Sequence, residues 1–197
     1  MPSFPNSWKG GRLGGLGAVL FTTLAVIYPI AVYFFHDRAS FLLFAGGACC
    51  LLLLRAFVVR SELSTMLRAP MLVAVGVIVA LSTLDAAIAA KAYPAVLSVI
   101  VATVFGNSLR HPPSIIERIA RIEDPQLTVT GQAYCRKVTW VWTIWLVANA
   151  VVATGLALWG SLDLWALWTG LVSYLVMGVL FSGEIMLRPW LLRRAGA

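Results

Sequence analysis

The chain has 197 residues, 60% of them hydrophobic and 12% charged, with a mean hydropathy of +0.89. A soluble domain has an apolar share of roughly 45–50%, so this composition excludes a water-soluble globular domain and requires lipid as solvent. The formal net charge is +7, but the basic residues cap apolar stretches and form no basic domain, so nucleic acid is excluded as a partner.

The first apolar stretch, Leu13 to Phe35, has 23 residues and as a helix is roughly 34 Å long, enough for a hydrocarbon core of about 30 Å. It does not read as a secretory signal peptide, being too long and lacking a small-residue cleavage site. Pro29 is expected to kink it. Gly10, Gly11, Gly14, Gly15 and Gly17 at its start give two overlapping GxxxG spacings, which serve either close helix packing or a flexible entry. His36, Asp37 and Arg38 form a short loop. The next apolar run, from Phe41, ends after 14 residues at Leu54. It spans only if Arg55 snorkels and Ala56 to Val59 count towards the span; if it is re-entrant, five spans remain and the N-terminus lies outside.

A third segment is expected over Met71–Ala90 and a fourth over Ala92–Leu109, joined by a tight turn near Lys91, Tyr93 and Pro94. Asp85 lies near the outer end of the third. An ionisable group in a span costs roughly 2.5–3.5 kcal/mol at the centre, so Asp85 is either a turn anchor beside Lys91 or a proton or cation site.

Arg110 to Lys137 is the one long polar stretch. Pro112 and Pro113 stop a helix, and Ser114 with Glu117 forms a capping-box pattern that starts another. Ile115, Ile116, Ile119 and Ile122 recur at helical spacing, with Glu117, Arg118, Arg121 and Glu123 opposite, until Asp124 and Pro125. The reading is a short amphipathic helix on the inner leaflet, isoleucines towards lipid. Gln126 to Gly131 reads as a linker, followed by Tyr134, Cys135, Arg136 and Lys137. Arg118, Arg121, Arg136 and Lys137 are the candidates for binding a partner or lipid headgroups.

Segment five is expected over Val138–Leu158 and segment six over Leu164–Phe181, with a loop at Gly160 to Asp163. Trp140, Trp142, Trp159, Trp165, Trp168 and Trp190 suggest aromatic belts. Asn149, near the middle of segment five, is the second intramembrane polar candidate and calls for an interhelical hydrogen bond. Glu184 and Arg188 have the spacing of a helical ion pair. Three cysteines make no disulfide framework; Cys49 and Cys50 count as small hydrophobes, and Cys135 as a free thiol.

Cut this way, Lys9, Arg12, Arg55, Arg60, Arg68, Arg110, Arg118, Arg121, Arg136, Lys137, Arg188, Arg193 and Arg194 fall on one side, and only Arg38 and Lys91 on the other. The positive-inside rule then puts both termini in the cytoplasm of a bacterial inner-membrane protein. The expected fold is an all-α polytopic bundle of six, alternatively five, transmembrane helices plus the amphipathic helix. Residues 1–109 hold spans one to four, 110–137 the cytoplasmic loop, and 138–197 spans five and six with a basic tail. No HExxH, CxxC, GxGxxG or P-loop occurs, and His36 and His111 fall on opposite faces. No catalytic residue, metal or cofactor is expected.

The run Arg118, Ile119, Ala120, Arg121, Ile122, then Pro125, Tyr134, Arg136, Val138, Thr139, Trp142 and Asn149 resembles the core pattern of an uncharacterised bacterial inner-membrane family. Its members tend to be encoded near ketosynthases, acyl carrier proteins and acyltransferases of aryl-polyene-type lipid clusters. From Arg136 onward the layout is also similar to the intracellular septation protein A family. These resemblances cover roughly residues 110–194. The first implies a non-catalytic accessory protein that docks acyl carrier proteins or lipid-synthesis enzymes at the membrane; the second implies a scaffold for cell-division proteins. A small transporter or lipid translocator using Asp85 and Asn149 is the alternative from the residues themselves.

Overall fold

Long apolar runs punctuated by Asp, Ser, Thr and Gly leave the backbone only its own carbonyls as partners in lipid, and the result is helical. The computed structural model describes residues 11–58 and 62–194, with side chains over 23–57, 68–122 and 124–186; no strand occurs among them. In order come α1 (Gly11–Phe35), α2 (Phe41–Val58), α3 (Glu62–Leu84), α4 (Ala86–Arg110), α5 (Ile115–Glu123), α6 (Val129–Trp159), α7 (Leu162–Leu167), a π-helical turn (Trp168–Val172) and α8 (Ser173–Arg194). Lys9, Gly10 and Arg60, and the side chains of Arg12, Arg188, Trp190, Arg193 and Arg194, lie outside the described residues. The expected Glu184–Arg188 pair therefore does too.

Three helices, Ala86–Arg110, Val129–Trp159 and Leu162–Met186, are long and apolar enough to cross a membrane. The chain is thus an all-α membrane protein. The apolar stretches Thr23–Phe35, Phe41–Phe57 and Arg68–Leu84 are shorter. Of the six spans expected, three reach full length among the described residues.

The chain forms two compact units, residues 1–90 and 91–197. In the first, α2 turns its small residues Ala45, Ala48 and Ala56, with Leu52, inward; α3 answers with Met71, Ala74 and Ile78. Small side chains allow the backbones to approach closely. Arg68 donates from Nε to the Ala56 carbonyl at 3.1 Å, satisfying a carbonyl in the last turn of α2 and placing a cation at the negative end of its dipole.

The turn expected at Lys91 to Pro94 is absent, because these residues lie within α4. The break comes earlier, at Asp85, whose Oδ1 accepts from the Ala87 and Ile88 N–H groups at 2.8 and 3.0 Å. This is an N-cap of α4, and Asp85 is exposed at a helix junction instead of lying within a span. Pro94 is tolerated inside α4 because the carbonyl its missing N–H leaves unpartnered, that of Ala90, accepts from the Tyr28 hydroxyl at 2.8 Å. The same hydroxyl lies 3.1 Å from the Phe44 carbonyl. Tyr28→Phe is expected to destabilise the protein by about 1–2 kcal/mol through that orphaned carbonyl. With Pro94→Ala restoring the N–H, the same substitution should cost much less, and a double-mutant cycle measured by denaturation in micelles checks this coupling.

In the second unit, α6 begins at Val129, so the stretch read as a linker to Gly131 is partly helical. Thr128 caps it, its Oγ1 accepting from the Gly131 N–H at 3.2 Å. At the far end the loop shrinks to Gly160 and Ser161, with Ser161 capping α7. A Cβ at Gly160 would stand 2.7 Å from the Leu156 carbonyl oxygen, so only glycine fits this reversal.

Candidate functional site

Two polar features of residues 91–197 draw in the predicted residues. The first is internal. Asn149, buried on α6, donates from Nδ2 to Ser98 Oγ of α4 at 2.9 Å, and its Oδ1 accepts from Trp168 Nε1 in the π-helical turn at 2.9 Å. Ser98 in turn donates to the Pro94 carbonyl at 3.0 Å. A polar ladder thus ties three membrane helices, with the Asn149 amide engaged at both ends. Beside it Trp165, fully buried, donates from Nε1 to the Lys91 carbonyl at 3.1 Å.

The aromatic-belt reading is therefore corrected for Trp165 and Trp168, which are internal fasteners. Trp140 and Trp159 are exposed and fit it. They stand nineteen residues apart on α6, about 29 Å along the axis, which matches the hydrocarbon thickness.

The second feature is a cleft where the end of α4, the Pro112–Pro113 turn, α5 and the start of α6 meet. Its volume is about 720 Å³, and its polar lining comprises Ser108, Ser114, Glu117, Gln132, Arg121 and Arg136. The amphipathic helix is where the periodicity predicts it, ending at Glu123 with Asp124 as its C-cap. Its capping box does not form: Ser114 takes the N-cap position but makes no side-chain cap bond. Glu117 instead receives Arg121, whose Nη2 and Nε lie 2.7 and 3.0 Å from the same carboxylate oxygen. The box needs the Glu117 carboxylate to turn back to the Ser114 N–H, and the pair with Arg121, one turn further on, holds it the other way. Ser108 of α4 accepts the Ile115 N–H at 3.0 Å, and its own proton goes to the Phe105 carbonyl at 2.7 Å.

Packing also divides the faces of α5. Glu117 and Ala120 are buried, while Ile119 and Ile122 are 54% and 81% exposed. Ile119 and Ile122 thus face away from the protein, as a helix resting on lipid requires, whereas Ile115, expected on the same face, is buried against the protein. Arg118 donates from Nε to the Pro113 carbonyl at 3.0 Å. Lys137 is exposed next to Arg136 but does not line the cleft. The structure thus gathers Arg118, Arg121 and Arg136 about one junction, and assigns Asp85 and Asn149 to capping and to the ladder.

No family model, curated protein or solved structure matches the chain.

The family resemblances thus rest on their residues alone. Ser114, Ser108 and Gln132, which sequence reasoning passed over as site residues, line the cleft. Only the capping-box pattern pointed at Ser114, and for a different role. No group of three or more His, Cys, Asp or Glu positioned to hold a metal occurs among the described residues.

Proposed function

We propose that this chain is a non-catalytic accessory protein of the bacterial inner membrane that docks acyl carrier proteins or polyene-lipid enzymes on its basic cytoplasmic face. Six spans are α1 to α4, α6, and α7 with α8; both termini are cytoplasmic. In support, α1 extends over 25 residues and α3 over 23. Phe34, Leu43, Phe57 and Val73 turn outward, as side chains bathed in lipid do. The charge split of the sequence sets the orientation.

The observation that carries the docking role is the clustering of Arg118, Arg121 and Arg136 at one junction, with Lys137 beside it. Acidic carrier domains fit such a surface by charge. Because Arg121 is held by Glu117, the exposed Lys137 is the better reporter. A photo-crosslinking amino acid at Lys137, activated in intact cells, is expected to capture an acyl carrier protein identified by mass spectrometry. Capture of a cell-division protein would replace this reading with an envelope scaffold, and capture of phospholipid alone would end it.

A further inference from the structure

The first turn of α5 holds unused donors. The Ile115 N–H goes to Ser108, and the Arg118 N–H to the Ser114 carbonyl at 2.9 Å, so the Ile116 and Glu117 N–H groups have no acceptor within the helix. They open at its positive end. Ser114, 4% exposed and lining the cleft, has a buried Oγ with no hydrogen-bond partner. Among the described residues only one other buried side-chain polar atom, Trp145 Nε1, shares that condition, and native folds rarely leave such groups unsatisfied. Arg136 enters from α6, and with Arg121 and Glu117 the lining carries two cations and one anion, a net of +1. Leu109, Val129 and Ala133 supply apolar walls.

Depth narrows the ligand. Arg136 lies four residues beyond Trp140, about 6 Å past the edge of the hydrocarbon. Headgroups add roughly 5–7 Å on each side of the core, so this is the level of lipid phosphates.

We infer that the cleft binds the phosphate of an anionic phospholipid through Arg136, the Ser114 hydroxyl and the Ile116 and Glu117 amides. Glu117 keeps Arg121 in place at its wall. The inference depends on the membrane depth of α6 and on no protein partner, so its failure would leave the carrier-docking experiment standing.

The test uses the full chain in phosphatidylcholine nanodiscs doped with phosphatidylglycerol, with retained lipid counted by native mass spectrometry. One phosphatidylglycerol should be retained, resistant to excess inorganic phosphate. Ser114→Ala and Arg136→Gln should each weaken retention roughly tenfold, the scale of a lost charge-assisted hydrogen bond. Lys137→Gln should change it less than about twofold. In dodecylmaltoside micelles, which carry no phosphate, Ser114→Ala should melt no lower than the parent, since it removes only an unpartnered hydroxyl. The inference is overturned by equal losses from Arg136→Gln and Lys137→Gln, which mean diffuse surface charge. It is also overturned by displacement with inorganic phosphate, by no retention, or by a lower melting point of Ser114→Ala in the phosphate-free micelles.

Discussion

Trp165→Ala is expected to destabilise the protein by about 3–5 kcal/mol, the scale for emptying a fully buried aromatic site. Trp165 has no exposed surface and packs where α7 begins the last long apolar helix. The substitution opens a cavity and leaves the Lys91 carbonyl without its side-chain donor, the indole at 3.1 Å. Trp165→Phe separates the two effects: it keeps most of the volume and loses the donor, so it should cost only about 1–2 kcal/mol. Titration of the micelle-bound protein with denaturing detergent, followed by circular dichroism, measures both. Near-equal losses for the two variants would mean that the hydrogen bond outweighs the packing.

Arg121→Ala is expected to release α5 from α6. Glu117 has a side chain only 10% exposed, and Arg121 is its ion-pair partner. Removing one member of a buried pair costs roughly 3–5 kcal/mol because the other charge is left unpaired in a poor solvent. Arg121 is 38% exposed, so water screens part of the effect and about 2–3 kcal/mol is the expected local loss. Hydrogen exchange should show amides of α5 opening faster, with α6 beyond Trp140 unchanged. Glu117→Gln combined with Arg121→Gln removes both charges and should restore much of the protection. If the single variant leaves α5 protected, the pair is a surface ornament and the isoleucine face alone holds the helix.

These contacts show which information local sequence carries. The amphipathic helix was legible because isoleucine spacing, Pro112 and Pro113, and the closing Asp124 and Pro125 all act within a few residues. Asn149 was legible as a buried amide in need of a partner. Its partners were not: Ser98 is 51 residues away and Trp168 is 19, and nothing in the spacing singles them out. Tryptophans at helix ends have the composition of a belt whether they face lipid or protein, so Trp165 and Trp168 were indistinguishable from Trp140 and Trp159. Pro94 suggested a turn because a missing N–H usually ends a helix; the Tyr28 hydroxyl that makes it harmless is 62 residues from Ala90. At the cleft, the basic residues were visible from charge alone, whereas the same Ser114–Glu117 spacing reads as a capping box whether or not the box forms, so the unpartnered Ser114 hydroxyl was not legible.

The ladder through Asn149 also bears on how the chain is made. Synthesis delivers α4 before α6, and α6 before the π-helical turn. When α6 leaves the insertion machinery its amide is a liability in lipid, where a lone polar group is costly. Ser98 is by then already present and can take one amide proton, while the acceptor side of Asn149 stays open until Trp168 is translated. Polar saturation thus follows the direction of translation, and Asn149 holds α4 and α6 in axial register while the last helix is still emerging.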